Sequence, residues 1–530
     1  MLKGFMAWPL MGLSVAPCAM AQTTVQWIAP GGGTWNAPIN WSPATVPSTT
    51  SHNAVIGGSN TFTIVRDALS VPVNNLSIVN ASATLHAING GRVHVTGPEL
   101  VNNGTIVIDG SSGKLISLRG GPATVLSGTG MVKLETPGEA SLAAASISTS
   151  SQSQLFTFAL GQRITGTGTI NARFHNEGVI HADVAGRTLA IANNDASNAN
   201  LIMATNGGIV NITAGVEQQF PGRLLADGGV IRLNGGFFTG GSVESINGGE
   251  VRIESVSQLD GVSFSGDALI PNGAVPRVSG TGIVNNGRIV IGSAPFNIEA
   301  SLNFLNVETT IDGDGMIILR SAPSTPAARL NSSGVNNTFT TNGTAHTIGG
   351  TGLLQGRFRN AGRIAPGEGT GSIGTLSVPY SSTLQQLSTG VLELELAGTQ
   401  PGEHDMLVTS GSNTASQYIL GGTLRVVAVN GYVPGPGNEF ELIKGRVLGQ
   451  FEHLDLPEGV NWKVQYSTDG VWLYAVCSAD FDGTGFVDID DFTGFVAAFE
   501  AGEDTADFDG TGFVDIDDFV AFVNAFESGC

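Results

Sequence analysis

Two stretches near the C-terminus carry residues whose types and spacing suit metal chemistry. DFDGTGFVDIDDF begins at Asp480 and recurs at Asp507, a spacing of 27 residues with thirteen successive positions identical. A hard cation such as calcium takes six to eight oxygens, and a twelve-residue loop offers them from positions 1, 3, 5, 7, 9 and 12. In the first loop these are Asp480, Asp482, Thr484, the backbone carbonyl of Phe486, Asp488 and Asp491. In the second they are Asp507, Asp509, Thr511, the carbonyl of Phe513, Asp515 and Asp518. Gly485 and Gly512 fall at position 6, where the loop turns sharply and a Cβ is penalised. Two Ca2+ sites are therefore expected. Val487 and Val514 at position 8 are placed to pair across the loops as a short β-bridge, and Asp490 and Asp517 should face solvent.

Each loop must be held by the segment after it. Beyond the first comes an apolar stripe at helical spacing, Phe492, Phe495, Val496 and Phe499; beyond the second, Phe519, Phe522, Val523 and Phe526. Such stripes predict two amphipathic helices that pack on each other. The doubled loop and helix, the short interval, the absence of an entering helix and Asp at position 12 resemble a type I dockerin. The terminal Gly529-Cys530 is most similar to the GC-type dockerins of bacterial surface-anchored proteins. The resemblance covers residues 477–530 and implies docking to a cohesin-like or other cell-surface receptor protein. In dockerins the partner is read at loop positions 10 and 11. Here these are Ile489-Asp490 and Ile516-Asp517, not the small hydroxylated pair of many cellulosomal dockerins, so a different receptor is expected. Cys477 and Cys530 bracket the module. In an oxidising compartment they are expected to form a disulfide, the alternative being a free terminal thiol used for attachment.

The rest of the chain is built differently. Gly-x-Gly leads into a short apolar strand and Asn-x-Gly into another, as in GTGTINARFHNEGVI from Gly166, SGTGIVNNGRIVI from Ser279 and GTGLLQGRFRNAGRI from Gly350. Alternating β-branched and polar residues predict strands, and recurrence at twenty to forty residues predicts a solenoid. The expected fold is mainly β: a right-handed parallel β-helix over residues 45–390, with a β-rich, antiparallel C-terminal cap over 391–476 and the small α-helical module after it. The body resembles the autotransporter-associated β-strand repeats of secreted bacterial surface proteins. Trp35 and Trp41, in residues 22–44, are expected to cap the first rung rather than to stack on sugars.

Charge and targeting narrow the function. The net charge of -21 and only 23 Lys and Arg disfavour nucleic-acid binding, which needs a basic patch. Fourteen Asp and Glu, with no Lys or Arg, lie between Ser478 and Cys530, so two-thirds of the net charge belongs to the loop-bearing module. Lys3, the apolar run from Gly4 to Val15 and Ala19-Met20-Ala21 read as a signal peptide over residues 1–21, with no transmembrane segment after it. A secreted, cell-surface location is expected.

The body shows no Gly-x-Ser-x-Gly elbow, no His-Glu-x-x-His and no lysine between Lys133 and Lys444. A non-catalytic structural or adhesive protein is the favoured expectation. A polysaccharide lyase or glycoside hydrolase on the β-helix is the alternative. Three or more charged groups gathered in one groove would favour the enzyme, and an even scatter would not. Polysaccharide is a candidate partner on either reading.

Overall fold

The computed structural model describes residues 22–528 apart from 68–71, 193–194, 294–297, 306–307, 323–327, 334–337, 380, 410–415, 459 and 485. The expected signal peptide, Gly485 and Cys530 lie outside the described residues.

The protein is mainly β, and its strands wind into a solenoid. Over most of the length strands recur in sets of three, and they pair in parallel with strands one turn earlier and one turn later. Thr105–Asp109 shows how the rungs are specified. Ile106 and Ile108 point inward and are buried, while Thr105, Val107 and Asp109 alternate outward. Ile106 stands in register with Leu85 on one side and Val132 on the other. The same row continues through Ile164, Ile180, Ile202 and Leu224. Because the side-chain period of a strand is two, a slip of one residue would turn this row to solvent, so burial sets the register.

Glycine acts at the corners. Gly166 has φ of +95°, and a Cβ there would approach the Leu134 carbonyl oxygen to 2.1 Å. Gly350, at the equivalent place in its motif, has φ of +94° and the same conflict with the Leu319 carbonyl. The Asn-x-Gly motif has a second role beyond turning. Its asparagines are interior, and their amides bond along the axis from rung to rung. Asn176 Nδ2 donates to Asn198 Oδ1 at 2.7 Å, and Asn198 Nδ2 to Gln218 Oε1 at 2.8 Å. Farther along, Asn342 Nδ2 donates to Asn360 Oδ1 at 2.7 Å, and Asn360 Nδ2 to Gln386 Oε1 at 3.0 Å. A buried amide is costly unless its hydrogen bonds are made; Asn198 and Asn360 have amide partners on both sides, whereas at the ladder ends Asn176 Oδ1 and Gln386 Nε2 have none.

The parallel pairing exceeds the expected span at both ends. Thr23–Trp27 pairs in parallel with His52–Ile56. At the other end Val391–Leu396 pairs in parallel with Thr423–Ala428, which pairs with His453–Asp455. Antiparallel pairing in the C-terminal region joins Glu439–Lys444 and Asn461–Ser467 to Gly470–Val476. The solenoid thus runs through residues expected to form the cap, because longer strands with bulky residues still satisfy the rung register. Closing the end with a hairpin removes an open strand edge. At the N-terminal end Trp27, Trp35 and Trp41 are buried together, with ring centroids 5.0 Å apart for Trp27 and Trp41 and 4.8 Å for Trp35 and Trp41. The indole N–H groups of Trp35 and Trp41 donate to the carbonyls of Pro47 and Trp35. The tryptophans cap the stack and leave no face for a sugar. Among the described residues no helix is long and apolar enough to cross a membrane.

His346 is a fully buried member of the amide ladder. Asn285 Nδ2 lies 3.0 Å from its Nε2 and can only donate there, so Nε2 is the unprotonated nitrogen and Nδ1–H donates to Asn342 Oδ1 at 2.7 Å. Burial pushes the imidazole down to about 4, against a smaller upward pull from Asp312. The unfolded chain takes up this proton near pH 6.5 and the folded chain does not, so stability is present above 6.5 and is lost as pH falls toward 4. The loss amounts to about 3 kcal/mol at the acid end. Denaturant unfolding of the solenoid at about pH 7 and about pH 4.5 should show this fall, and His346→Gln should flatten it.

Candidate functional site

The C-terminal module contains two helices, α1 (Ile489–Ala501) and α2 (Ile516–Ser528). Both start where the sequence offers an aspartate cap. Asp488 Oδ1 accepts from the Asp490 N–H at 2.8 Å, and the Asp491 carboxylate answers by accepting from the Asp488 N–H. Asp515 and Asp518 repeat the arrangement on α2. Gly502, with φ of +67°, ends α1. The helices meet through phenylalanine: Phe495 and Phe522 are fully buried and stack face to face, with centroids 3.9 Å apart and 5° between planes. Phe481, Phe492, Phe499, Phe508, Phe519 and Phe526 close around them. Ala498, rather than Val496, completes the inner stripe.

Each loop is pinned by its twelfth residue. Asp491 has no exposed surface, and its two carboxylate oxygens accept from the N–H groups of Asp482 at 2.9 Å and Asp488 at 2.8 Å. Asp518 does the same with Asp509 at 3.0 Å and Asp515 at 2.8 Å. Burial alone would raise the Asp491 carboxyl, but the N–H groups of Asp482, Asp488 and Phe481 together outweigh it and hold it below the usual range. For Asp518 the N–H donors of Asp509 and Asp515 are the leading influence, and the shift is again downward. Both groups are therefore carboxylates at neutral pH.

The structure brings positions 1, 3 and 12 together. Carboxylate oxygens of Asp480, Asp482 and Asp491 lie within 4.8 Å of one another, and those of Asp507, Asp509 and Asp518 do likewise. Asp488 and Asp515, at position 9, stand outside these triplets as helix caps. That is the position from which a loop of this kind often reaches its ion through water. Thr484 Oγ1 is turned toward the Phe486 carbonyl, 3.5 Å away. Asp490 and Asp517 are exposed, as expected. The expected β-bridge between Val487 and Val514 is not formed among the described residues: Val514 packs on the phenylalanine core instead. The expected disulfide partner of Cys477, Cys530, lies outside the described residues.

Two features fit these triplets to a hard cation. Asp507 Oδ1 is buried and has no hydrogen-bond partner, although its fellow oxygen accepts from the Gly512 N–H at 2.8 Å. A buried carboxylate oxygen with no donor is costly unless a cation satisfies it. All ligand candidates are oxygens, the donor type for calcium or magnesium rather than for zinc or copper.

No family model and no curated protein matches this chain. The functional reading rests on its own residues.

On the solenoid, charged groups gather in threes and fours rather than evenly. Glu393 lies between Arg363, at 3.5 Å, and Arg425, at 3.7 Å, and Arg425 also meets Asp455 at 3.3 Å. Glu368 meets Arg320 at 2.5 Å and Arg288 at 4.0 Å. These are cross-rung ladders of alternating sign, in which the charges neutralise one another. Two further carboxylates, Glu395 and Asp405, are buried. Asp405 accepts from the N–H groups of Gly374 and Glu395, and Glu395 accepts from Gly371. Burial pushes the Asp405 carboxyl up to about 8, against those hydrogen bonds. The cavity beside Glu393 and Glu395 holds only about 10 Å³, room for one water and not for a sugar. Sequence reasoning missed this pair because nothing local distinguishes its carboxylates from exposed ones.

Calcium titration followed by calorimetry should report two sites in the range of roughly 10⁻⁴–10⁻³ M, the affinity of extracellular modules. Asp518→Ala should leave one. Chelation should remove the helical circular-dichroism signal and leave the β signal of the solenoid intact.

Proposed function

We propose that the chain is a secreted, non-catalytic surface protein in which a calcium-stabilised, dockerin-like module anchors a displayed β-solenoid. The winding we take as right-handed, the hand of nearly all parallel crossovers. The observation that carries the reading is a pair of apolar residues left in solvent twice, at equivalent places on the two loops. Phe486 and Ile489 are 75% and 66% exposed, and Phe513 and Ile516 are 75% and 65% exposed. Ten other phenylalanine and alanine side chains of the module find the core, so these four have an outward use. Exposed aromatic and aliphatic groups on a rigid scaffold are the usual anchors of a protein interface. Flanking aspartates favour a receptor with a complementary basic rim.

The loops explain why calcium belongs to the mechanism. Three carboxylates within 4.8 Å repel one another, and a divalent ion between them converts that repulsion into a fixed loop. Phe486 and Phe513, at position 7, would then contribute their carbonyls to the ion and their rings to the partner. Ion binding and receptor binding share these residues, so each should strengthen the other.

Capture of cell-envelope proteins on immobilised chain, with calcium and with chelator, tests the anchor. One partner retained with calcium only, and lost in Asp491→Ala/Asp518→Ala and in Ile489→Asp/Ile516→Asp, is the expected result. Capture indifferent to calcium and to all four substitutions would refute it.

A further inference from the structure

We propose that one face of the solenoid, centred on Gly215, is a binding cleft for a neutral glycan chain. The site is distinct from the anchoring module and rests on none of its residues. On this face Thr157, His175, Ser197, Glu217, Thr239 and Asp260 stand in register on successive rungs. Continuing the same registers by one step places Arg173, Asp195, Gly215 and Phe237 in a parallel row two residues away. Gly215 is buried between Asp195 and Phe237, and its place in the row carries no projecting side chain. The gap is a cleft of about 440 Å³, within the range of about 300–1,000 Å³ typical of small-ligand sites. A Cβ at Gly215 would approach the Phe237 carbonyl oxygen to 2.2 Å, so the close contact of these two rungs at the floor of the cleft requires glycine.

The lining has two kinds of surface. Phe237 stands with 61% of its area in water on one side and supplies the aromatic face of the cleft. Opposite it are polar groups already held in position. His175 Nδ1 is 2.8 Å from Ser197 Oγ, Arg173 Nε is 3.7 Å from Asp195, and Gln219 Nε2 donates to Glu217 at 3.5 Å. An apolar ring face beside oriented donors and acceptors matches a pyranose, which has an apolar C–H face and a rim of hydroxyls. One basic and two acidic side chains leave the cleft weakly negative, which disfavours uronate chains and favours neutral ones. Rungs repeat about every 4.8 Å, close to the length that one sugar adds to an extended glycan. Successive sugars can therefore meet successive members of the Ser197–Glu217–Thr239 row.

Affinity electrophoresis of the chain from Gln22 to Cys530 tests this, in native gels containing dextran, laminarin or galactomannan, with polygalacturonate as the anionic comparison. Retardation in at least one neutral gel is expected. Phe237→Ala and Glu217→Ala should each weaken it about tenfold. Phe220→Ala, another exposed ring outside the cleft lining, should leave it unchanged. Circular dichroism of each variant confirms an intact solenoid. No retardation in any neutral gel, retardation by polygalacturonate alone, or wild-type retardation of Phe237→Ala would overturn the proposal. Asp491→Ala/Asp518→Ala should still be retarded, so a failure of the anchor and a failure of the cleft give different results.

Discussion

Everything in the solenoid depends on stacking each rung in register on the one before it. Parallel pairing one turn apart brings like positions together, and an interior row such as Ile106, Val132, Ile164 and Ile180 is the outcome. Apolar rows stack by simple burial, but polar ones must be paired along the axis or excluded. Within the ladders, Asn198 and Asn360 solve this by bonding to the rung above and the rung below, and His346 joins only as a neutral ring. On the outer surface the same spacing forces Glu393 between Arg363 and Arg425, so charges of alternating sign are the arrangement that a face of stacked rungs tolerates.

The module at the end follows a different rule. It is small, rich in acidic residues, and held by six phenylalanines around the Phe495–Phe522 stack. A core of that size supports a fold only marginally without further staples. Its loops add crowded carboxylates that work against folding until a cation joins them. The same aspartates that pin the loops, Asp491 and Asp518, also start the helices, so on the proposed function ion binding, helix formation and presentation of the exposed Phe486 and Phe513 would be one cooperative event.

The two parts therefore suit separate tasks. The solenoid keeps its shape through many repeated contacts and presents long faces, of which the Gly215 cleft is one. The module gathers its carboxylates in two loops and exposes its apolar residues in duplicate. Asp405 and Glu395, buried beneath the Gly367–Gly374 segment, act within the solenoid as acceptors for backbone N–H groups and offer no access to a substrate.

Much of this was legible in the amino-acid order. The alternation of apolar and polar residues specifies strands, the recurring glycine motifs specify a solenoid, and the duplicated DFDGTGFVDIDDF specifies two acidic loops ahead of helices, because these signals are local and periodic. Convergence of Asp480, Asp482 and Asp491 was readable from spacing alone. The inward asparagines were not, since Asn beside Gly reads equally well as an exposed turn, and only the neighbouring rung decides which way it points. The start and end of the parallel winding, the failed Val487–Val514 bridge and the cleft beside Phe237 were likewise hidden. Each depends on which residues of distant rungs or loops stand side by side, and that is a property of register across the fold rather than of any single segment.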